Sequence, residues 1–250
     1  MKITELQFDG ALAPAQRSRF SFRRAAQTIR TIENNEELVY LADQANVPFL
    51  LAPFWEDNGD LEGGAYQVYI ANHPHFGLAV RRSVYVRLRE VAGCLPHGWK
   101  LVLKAGLRPL AVQNALLEKL VNKIMRDHPQ WSFDQALARA RLFVADPSLK
   151  IPPHCTGAAI DIEVCDAEGE TVDMGCPPNT DSELAYTHSD LLSPHQRANR
   201  GILLEAMLAA GFANLAYEWW HFSYGDAYWA AFYNRPTAIY GIVKELGRSH

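Results

Sequence analysis

Between Arg81 and Leu95 the apolar residues Val84, Leu88, Val91, Ala92 and Leu95 recur at helical intervals, and Pro96-His-Gly98 breaks the run. Trp99 to Lys104 alternates as a strand does, ending at Gly106. Pro109 opens a second helix, with Leu116, Leu120 and Ile124 on its buried face and Leu117 and Val121 widening it. A third helix is expected from Phe133 to Val144. In Ala159-Ile-Asp-Ile-Glu-Val164, Ile160, Ile162 and Val164 share one face and Asp161 and Glu163 the other. A turn near Asp166–Gly169 then leads to a short strand around Thr171–Met174. The stretch from Gly175 to Pro194, rich in Pro, Asn, Asp and Ser, reads as a long loop, functional or mobile. A helix over Gln196–Ala210 turns Ile202, Leu203 and Met207 inward and is closed by Gly211. A last strand runs from Tyr217 to Ser223.

Helices and strands are mixed without regular alternation, which predicts an α+β fold with a mostly antiparallel central sheet flanked by helices. No repeat, low-complexity tract or linker divides the 250 residues, so residues 1–250 read as a single domain. The formal net charge of −4 gives no electrostatic footprint for nucleic acid. Local basic clusters, Arg17 to Arg30 and Arg81-Arg82, read as solvated helix faces. The start of the chain lacks the basic and apolar segments of a secretory signal. The greasiest stretch, Val47 to Trp55, is far short of the roughly 20 residues that span a bilayer. The expectation is a cytoplasmic protein with no membrane partner. Of the four cysteines none forms a Cys-x-x-Cys pair, and Cys155 reads as a small filler.

Two segments more than fifty residues apart carry the chemistry: His154-Cys-Thr-Gly-Ala-Ala-Ile-Asp161 and Glu218-Trp-Trp-His221. They offer two imidazoles, a ligand carboxylate and a spare carboxylate. A catalytic zinc takes three protein ligands and keeps a position for water, and a hydrolase needs a further base to deprotonate that water. Gly157 supplies the backbone freedom to turn His154 toward Asp161. Glu218 and His221, three apart, face opposite ways in a regular strand, so a bulge or bend is expected between them. Trp219 and Trp220 are expected to pack the core and wall the pocket. Spacing alone leaves structural histidines and a metal site both open.

The motifs resemble those of the zinc D-alanyl-D-alanine peptidases, Ser-x-His-x-x-Gly-x-Ala-x-Asp followed by Glu-x-x-His. Here they read Pro152-Pro-His154-Cys-Thr-Gly157-Ala-Ala159-Ile-Asp161 and Glu218-Trp-Trp-His221. The vancomycin-resistance type dipeptidases share further elements: Gly106-Leu-Arg108-Pro109, Met174-Gly175, Asn199-Arg200 and Ala210-Gly-Phe212. The similarity covers roughly Arg81 to Asp226, and residues 1–75 match only loosely, as an N-terminal extension. The resemblance implies a hedgehog-like fold and one Zn2+ per chain held by His154, Asp161 and His221. It also implies Glu218 as catalytic base, Arg108 as the transition-state cation, and a small peptide substrate such as D-Ala-D-Ala.

Two departures bear on substrate. Pro152 stands where the family has a serine. The position of an aspartate that helps hold the substrate's ammonium falls on Asn179, with Asp181 two residues on. The competing readings are a D,D- or L,D-carboxypeptidase or endopeptidase on peptidoglycan peptides, and a zinc-stabilised binding module without activity. Nucleophilic hydrolysis has no supporting motif such as Gly-x-Ser-x-Gly.

Overall fold

Five strands form the central sheet: β1 (Leu50–Leu51), β2 (Lys100–Ala105), β3 (Ala159–Cys165), β4 (Ala213–Asn214) and β5 (His221–Ser223). Their order is β1-β2-β3-β5-β4. The computed structural model that shows this describes residues 3–5, 12–54, 64, 67–69, 71, 78–141, 143–148 and 150–244. The β1–β2 pairing is parallel and the other pairings of this sheet are antiparallel. Small two-stranded pairings lie outside it, among them Thr4–Glu5 with Phe20–Ser21, parallel, and Leu38–Tyr40 with Ala79–Arg81, antiparallel. The fold is therefore α+β with small, mixed sheets.

Helices longer than one turn include α1 (Arg82–Cys94), α2 (Leu110–Asp127), α3 (Phe133–Ala140), α4 (Pro194–Ala209) and α5 (Ala227–Phe232). Ile160, Ile162 and Val164 of β3 are fully buried against Val84, Leu88 and Val91 of α1 and Leu203 and Met207 of α4 in one apolar cluster. Val39, Leu41 and Phe49 join the same cluster. Burying each such side chain contributes about 1.5–3 kcal/mol. The other face of β3 is thereby left for its polar residues. A second aromatic cluster ties the N-terminal segment to the far end of the chain. Phe22 sits edge-on against Tyr228 and Phe232, with centroids 6.3 and 5.5 Å away.

Several expectations are corrected. Helix α3 stops at Ala140, and α4 begins at Pro194 because Ser193 and Gln196 close a reciprocal capping box ahead of Gln196. Ile202 is not inward; it is 36% exposed, and Leu204 fills the buried position. The strand expected at Thr171–Met174 reduces to a single bridge, Cys165 with Thr171. Arg17 and Arg81 are buried, not solvated. Arg17 donates to the carbonyls of Phe232 and Ala231, and Arg81 to that of Thr156. The loop Gly175–Pro194 is held from α4: Arg200 donates to the carbonyls of Met174, Tyr186 and Leu184 at 2.7, 2.6 and 2.7 Å. Asn199 adds a bond to the Asp173 carbonyl at 2.9 Å. Trp55, the last residue of the greasy stretch, lies outside the described residues, as does Leu142 of the expected third helix. No helix among the described residues is long and apolar enough to cross a membrane.

Candidate active site

Asp161 and His221 face one another directly across the β3–β5 ladder. Cross-strand partners on one face have Cβ atoms about 4.5–5.5 Å apart, so register alone brings these side chains together. His154 arrives from the one-turn 3-10 helix Pro153–Thr156, which ends on Gly157 at φ 70°. This left-handed backbone conformation favours glycine; a Cβ there would meet only the tip of Leu38, Cδ2 at 2.9 Å, which can give way.

The ring of His154 is aimed by the backbone. Its Nδ1 donates to the Gly106 carbonyl at 2.9 Å. A carbonyl can only accept, so Nδ1 carries the proton and Nε2 presents its lone pair. Gly106 is itself forced: a Cβ there would lie 2.6 Å from the Ala79 carbonyl oxygen. That explains the glycine of the Gly-Leu-Arg-Pro element. Beside it the Arg108 amide donates to the His154 carbonyl at 3.0 Å.

The three side chains converge. His154 Nε2 lies 3.2 Å from His221 Nδ1 and 3.3 Å from Asp161 Oδ2, and His221 Nδ1 lies 2.9 Å from Asp161 Oδ1. All are buried, and their ligand atoms lie within 4.8 Å of one another. A tetrahedral ion with bonds of about 2.0–2.1 Å sets its ligand atoms roughly 3.3 Å apart, so two nitrogens 3.2 Å apart, with the Asp161 carboxylate reaching each of them through a different oxygen, fit zinc. Burial works to raise the pKa of Asp161, but positive charge and hydrogen bonds from the two imidazoles, when these are protonated, hold it below the usual carboxylate range. Burial likewise opposes charge on His221, yet the hydrogen bond and charge of Asp161 raise its pKa. The pocket is built to favour positive charge next to Asp161.

Glu218 stands at the edge of this group without joining it. Its Oε2 is 3.9 Å from His221 Nδ1, and its side chain is 28% exposed. The expected bend is a tight turn in which the His221 amide donates to the Glu218 carbonyl at 3.2 Å. The strand predicted over Tyr217–Ser223 is accordingly only His221–Ser223. Asn214, fully buried, fastens the turn: its Nδ2 donates to the carbonyls of Glu218 and His221 at 3.2 and 3.1 Å. Thr187 Oγ1 in turn donates to Asn214 Oδ1 at 2.6 Å. Trp219 and Trp220 are buried in the main apolar cluster, as expected.

Arg108 lies at the root of the site, buried, with Nη1 donating to Gln113 Oε1 at 3.1 Å. Gln113 is fixed through its Nε2 to the Ala145 carbonyl at 2.7 Å. Cys155 is buried, and burial pushes its thiol up to about 12 despite the nearby Arg108 charge, which suits a filler and not a nucleophile. Asn179 and Asp181 are exposed. Neither bonds to the trio or to Glu218; Asp181 Oδ2 instead faces Arg139 Nη2 of α3 at 4.0 Å. Sequence reasoning missed Asn214, Gln113 and Arg23, whose Nη2 lies 3.7 Å from Glu218 Oε1. A polar Asn within a buried strand was the available signal for Asn214. No signal marked Arg23.

A family model described as D-ala-D-ala dipeptidase, Peptidase_M15, matches residues 78–240. The chain belongs to this family. It is thus a metallopeptidase. A D-alanyl-D-alanine dipeptidase of Synechocystis sp. is 31% identical over 199 residues, covering 68% of this chain and 78% of that protein. A D-alanyl-D-alanine dipeptidase of Escherichia coli is 32% identical over 74 residues, 30% of this chain and 38% of the other. Among solved structures, a mutant of the vancomycin-resistance D,D-pentapeptidase VanY in complex with Zn(II) aligns with TM-score 0.39 and 17% identity, over 66% of this chain and 83% of that one. VanYB in complex with D-alanine-D-alanine aligns with the same score and identity over 65% and 81%. Superpositions at that score constrain neither fold nor chemistry here. The matched segment of the family holds the converging trio, Glu218 and Arg108, and excludes Arg23.

Proposed function

We propose that the protein is a zinc-dependent dipeptidase that cleaves D-Ala-D-Ala or a similar dipeptide, acting as one unit with one Zn2+ per chain. The observation that carries this reading is the convergence of His154, Asp161 and His221 with Glu218 beside them and outside the ligand set. His154, Asp161 and His221 would hold the metal. When bound, zinc acts as a Lewis acid and lowers the pKa of coordinated water toward about 7. Glu218 takes the proton of the attacking water and delivers it to the departing amine. Arg108, steadied by Gln113, supplies positive charge to the oxygen of the former carbonyl; one such preorganised contact is typically worth about 2.7–4 kcal/mol.

Asp181 lies beside Arg139 at 4.0 Å, which favours a second reading. If neither Asp181 nor Asn179 holds a free ammonium, an N-blocked peptide is accepted as well, and the enzyme is a carboxypeptidase. Release of D-alanine from D-Ala-D-Ala and from its N-acetyl derivative separates the two. The dipeptidase reading expects the free dipeptide to be cleaved at least about tenfold better, with activity lost to a chelator and restored by zinc. Equal or better cleavage of the acetylated peptide overturns it.

A further inference from the structure

The general base of a peptidase stands on the side of the leaving amine, because it must hand that nitrogen a proton. In a dipeptide the leaving amino acid also carries the free carboxylate, whose carbon is joined to the nitrogen through one Cα and lies about 2.5 Å from it. A cation that recognises this carboxylate must therefore lie within a few ångströms of the base. Arg23 occupies that place. Its Nη2 is 3.7 Å from Glu218 Oε1, beyond hydrogen-bonding distance, and its guanidinium lies over the Tyr217 ring, 4.8 Å from the centroid.

We infer that Arg23 binds the free carboxylate of the leaving amino acid and so sets the enzyme's preference for substrates with an unblocked C-terminus. The assignment rests on the role of Glu218 given above.

Three further observations support it. Phe22 is buried in the aromatic cluster, between Tyr228 and Phe232, and this fixes the backbone that presents Arg23. The guanidinium is partly open, 35% exposed at the side chain, so a ligand reaches it. A planar fork of donors suits a carboxylate in two-point contact, and the Tyr217 ring beneath it gives the guanidinium a favourable cation–π contact. Lys150, four residues before His154, is half-buried and makes no side-chain hydrogen bond or ion pair among the described residues. Burial, and after it the charge of Arg23, lowers the Lys150 pKa, which marks a second cation in the same neighbourhood. Two cations sharing a neighbourhood suit an anion. An ordinary exposed ion pair with Glu218 is the competing explanation, and it predicts no dependence on the substrate's C-terminus.

The test compares D-Ala-D-Ala with its C-terminal amide in the zinc-loaded wild type, Arg23→Gln and Arg23→Lys. A hydrogen bond between charged groups corresponds to about 10- to 150-fold. The wild type should prefer the acid by a factor in that range. Arg23→Gln should lose that factor on the acid, mainly through KM, and leave the amide within about twofold; Arg23→Lys should recover part of the loss. Calorimetric binding of D-alanine, with D-alaninamide as control, should weaken in parallel without any turnover. Equal losses on acid and amide, an unchanged acid in Arg23→Gln, or a wild type indifferent to amidation would overturn the assignment. Zinc content and thermal midpoint show whether each variant is folded. A wild type that cleaves neither compound rejects the dipeptidase reading itself, and this assignment falls with it.

Discussion

Glu218 and His221 show how a three-residue spacing brings a carboxylate beside an imidazole. In a straight strand the two would point to opposite faces. The turn that reconciles them is fastened by Asn214, which bonds both of their carbonyls from a fully buried position. Asn214→Ala takes one donor from each carbonyl, leaving them only the His221 and Leu215 amides, and strands the buried Thr187 hydroxyl, a change that costs about 1–3 kcal/mol. The thermal midpoint should fall, and kcat should drop as Glu218 loses its placement; a variant matching the wild type in both would remove Asn214 from the account. Arg108→Ala should depress kcat by about 10²–10³-fold with a smaller change in KM, the signature of a contact made in the transition state. A raised KM with kcat intact would make Arg108 a substrate-binding residue instead. At this scale the convergence of His154, Asp161 and His221 was legible from the two motifs. Arg23 was not, because nothing in local sequence says that a residue nearly two hundred positions before Glu218 will lie against it.

Elements with strong periodicity or alternation were readable: α1, β2 and β3 begin and end within a residue or so of where their apolar pattern places them, and α2 begins one residue after the expected Pro109. Failures came where tertiary contacts override local composition. The stretch from Gly175 to Pro194 has the residues of a loose loop, yet Arg200 draws three of the neighbouring carbonyls onto one buried guanidinium. Composition cannot reveal such a clamp, since the arginine belongs to the next helix. Arg200→Met should cost about 3 kcal/mol or more, because bonds to a charged donor are lost and buried carbonyls are stranded. Limited proteolysis should then cut between Cys176 and Leu192 well before the rest of the chain. Cleavage there at the wild-type rate would show that Arg200 does not hold the loop. Arg17 and Arg81 taught the same lesson, being read as solvated while serving as buried anchors for carbonyls far along the chain.

Across the whole molecule, the N-terminal segment that the family motifs leave unmatched packs into the same core as the rest and brings Arg23 to the site. It also meets His188, whose Nε2 lies 2.8 Å from Ser18 Oγ. Burial, then the charges of Arg19, Arg200 and Arg197, lowers the His188 pKa from 6.5 to about 4. The unfolded chain takes this proton near pH 6.5 and the folded one resists it. Its contribution to stability is therefore complete above about pH 6.5 and is lost as the pH falls toward 4. Thermal midpoints between pH 7 and 4.5 should decline less steeply in His188→Gln, by up to about one proton's worth of slope; parallel curves would refute the assignment. The most direct test of the site as a whole is zinc content measured alongside D-Ala-D-Ala turnover in Glu218→Ala. One zinc per chain retained, with turnover reduced by about 10³-fold or more, is the result expected of a base that does not bind the metal. Zinc lost with the side chain, or turnover near that of the wild type, would contradict it.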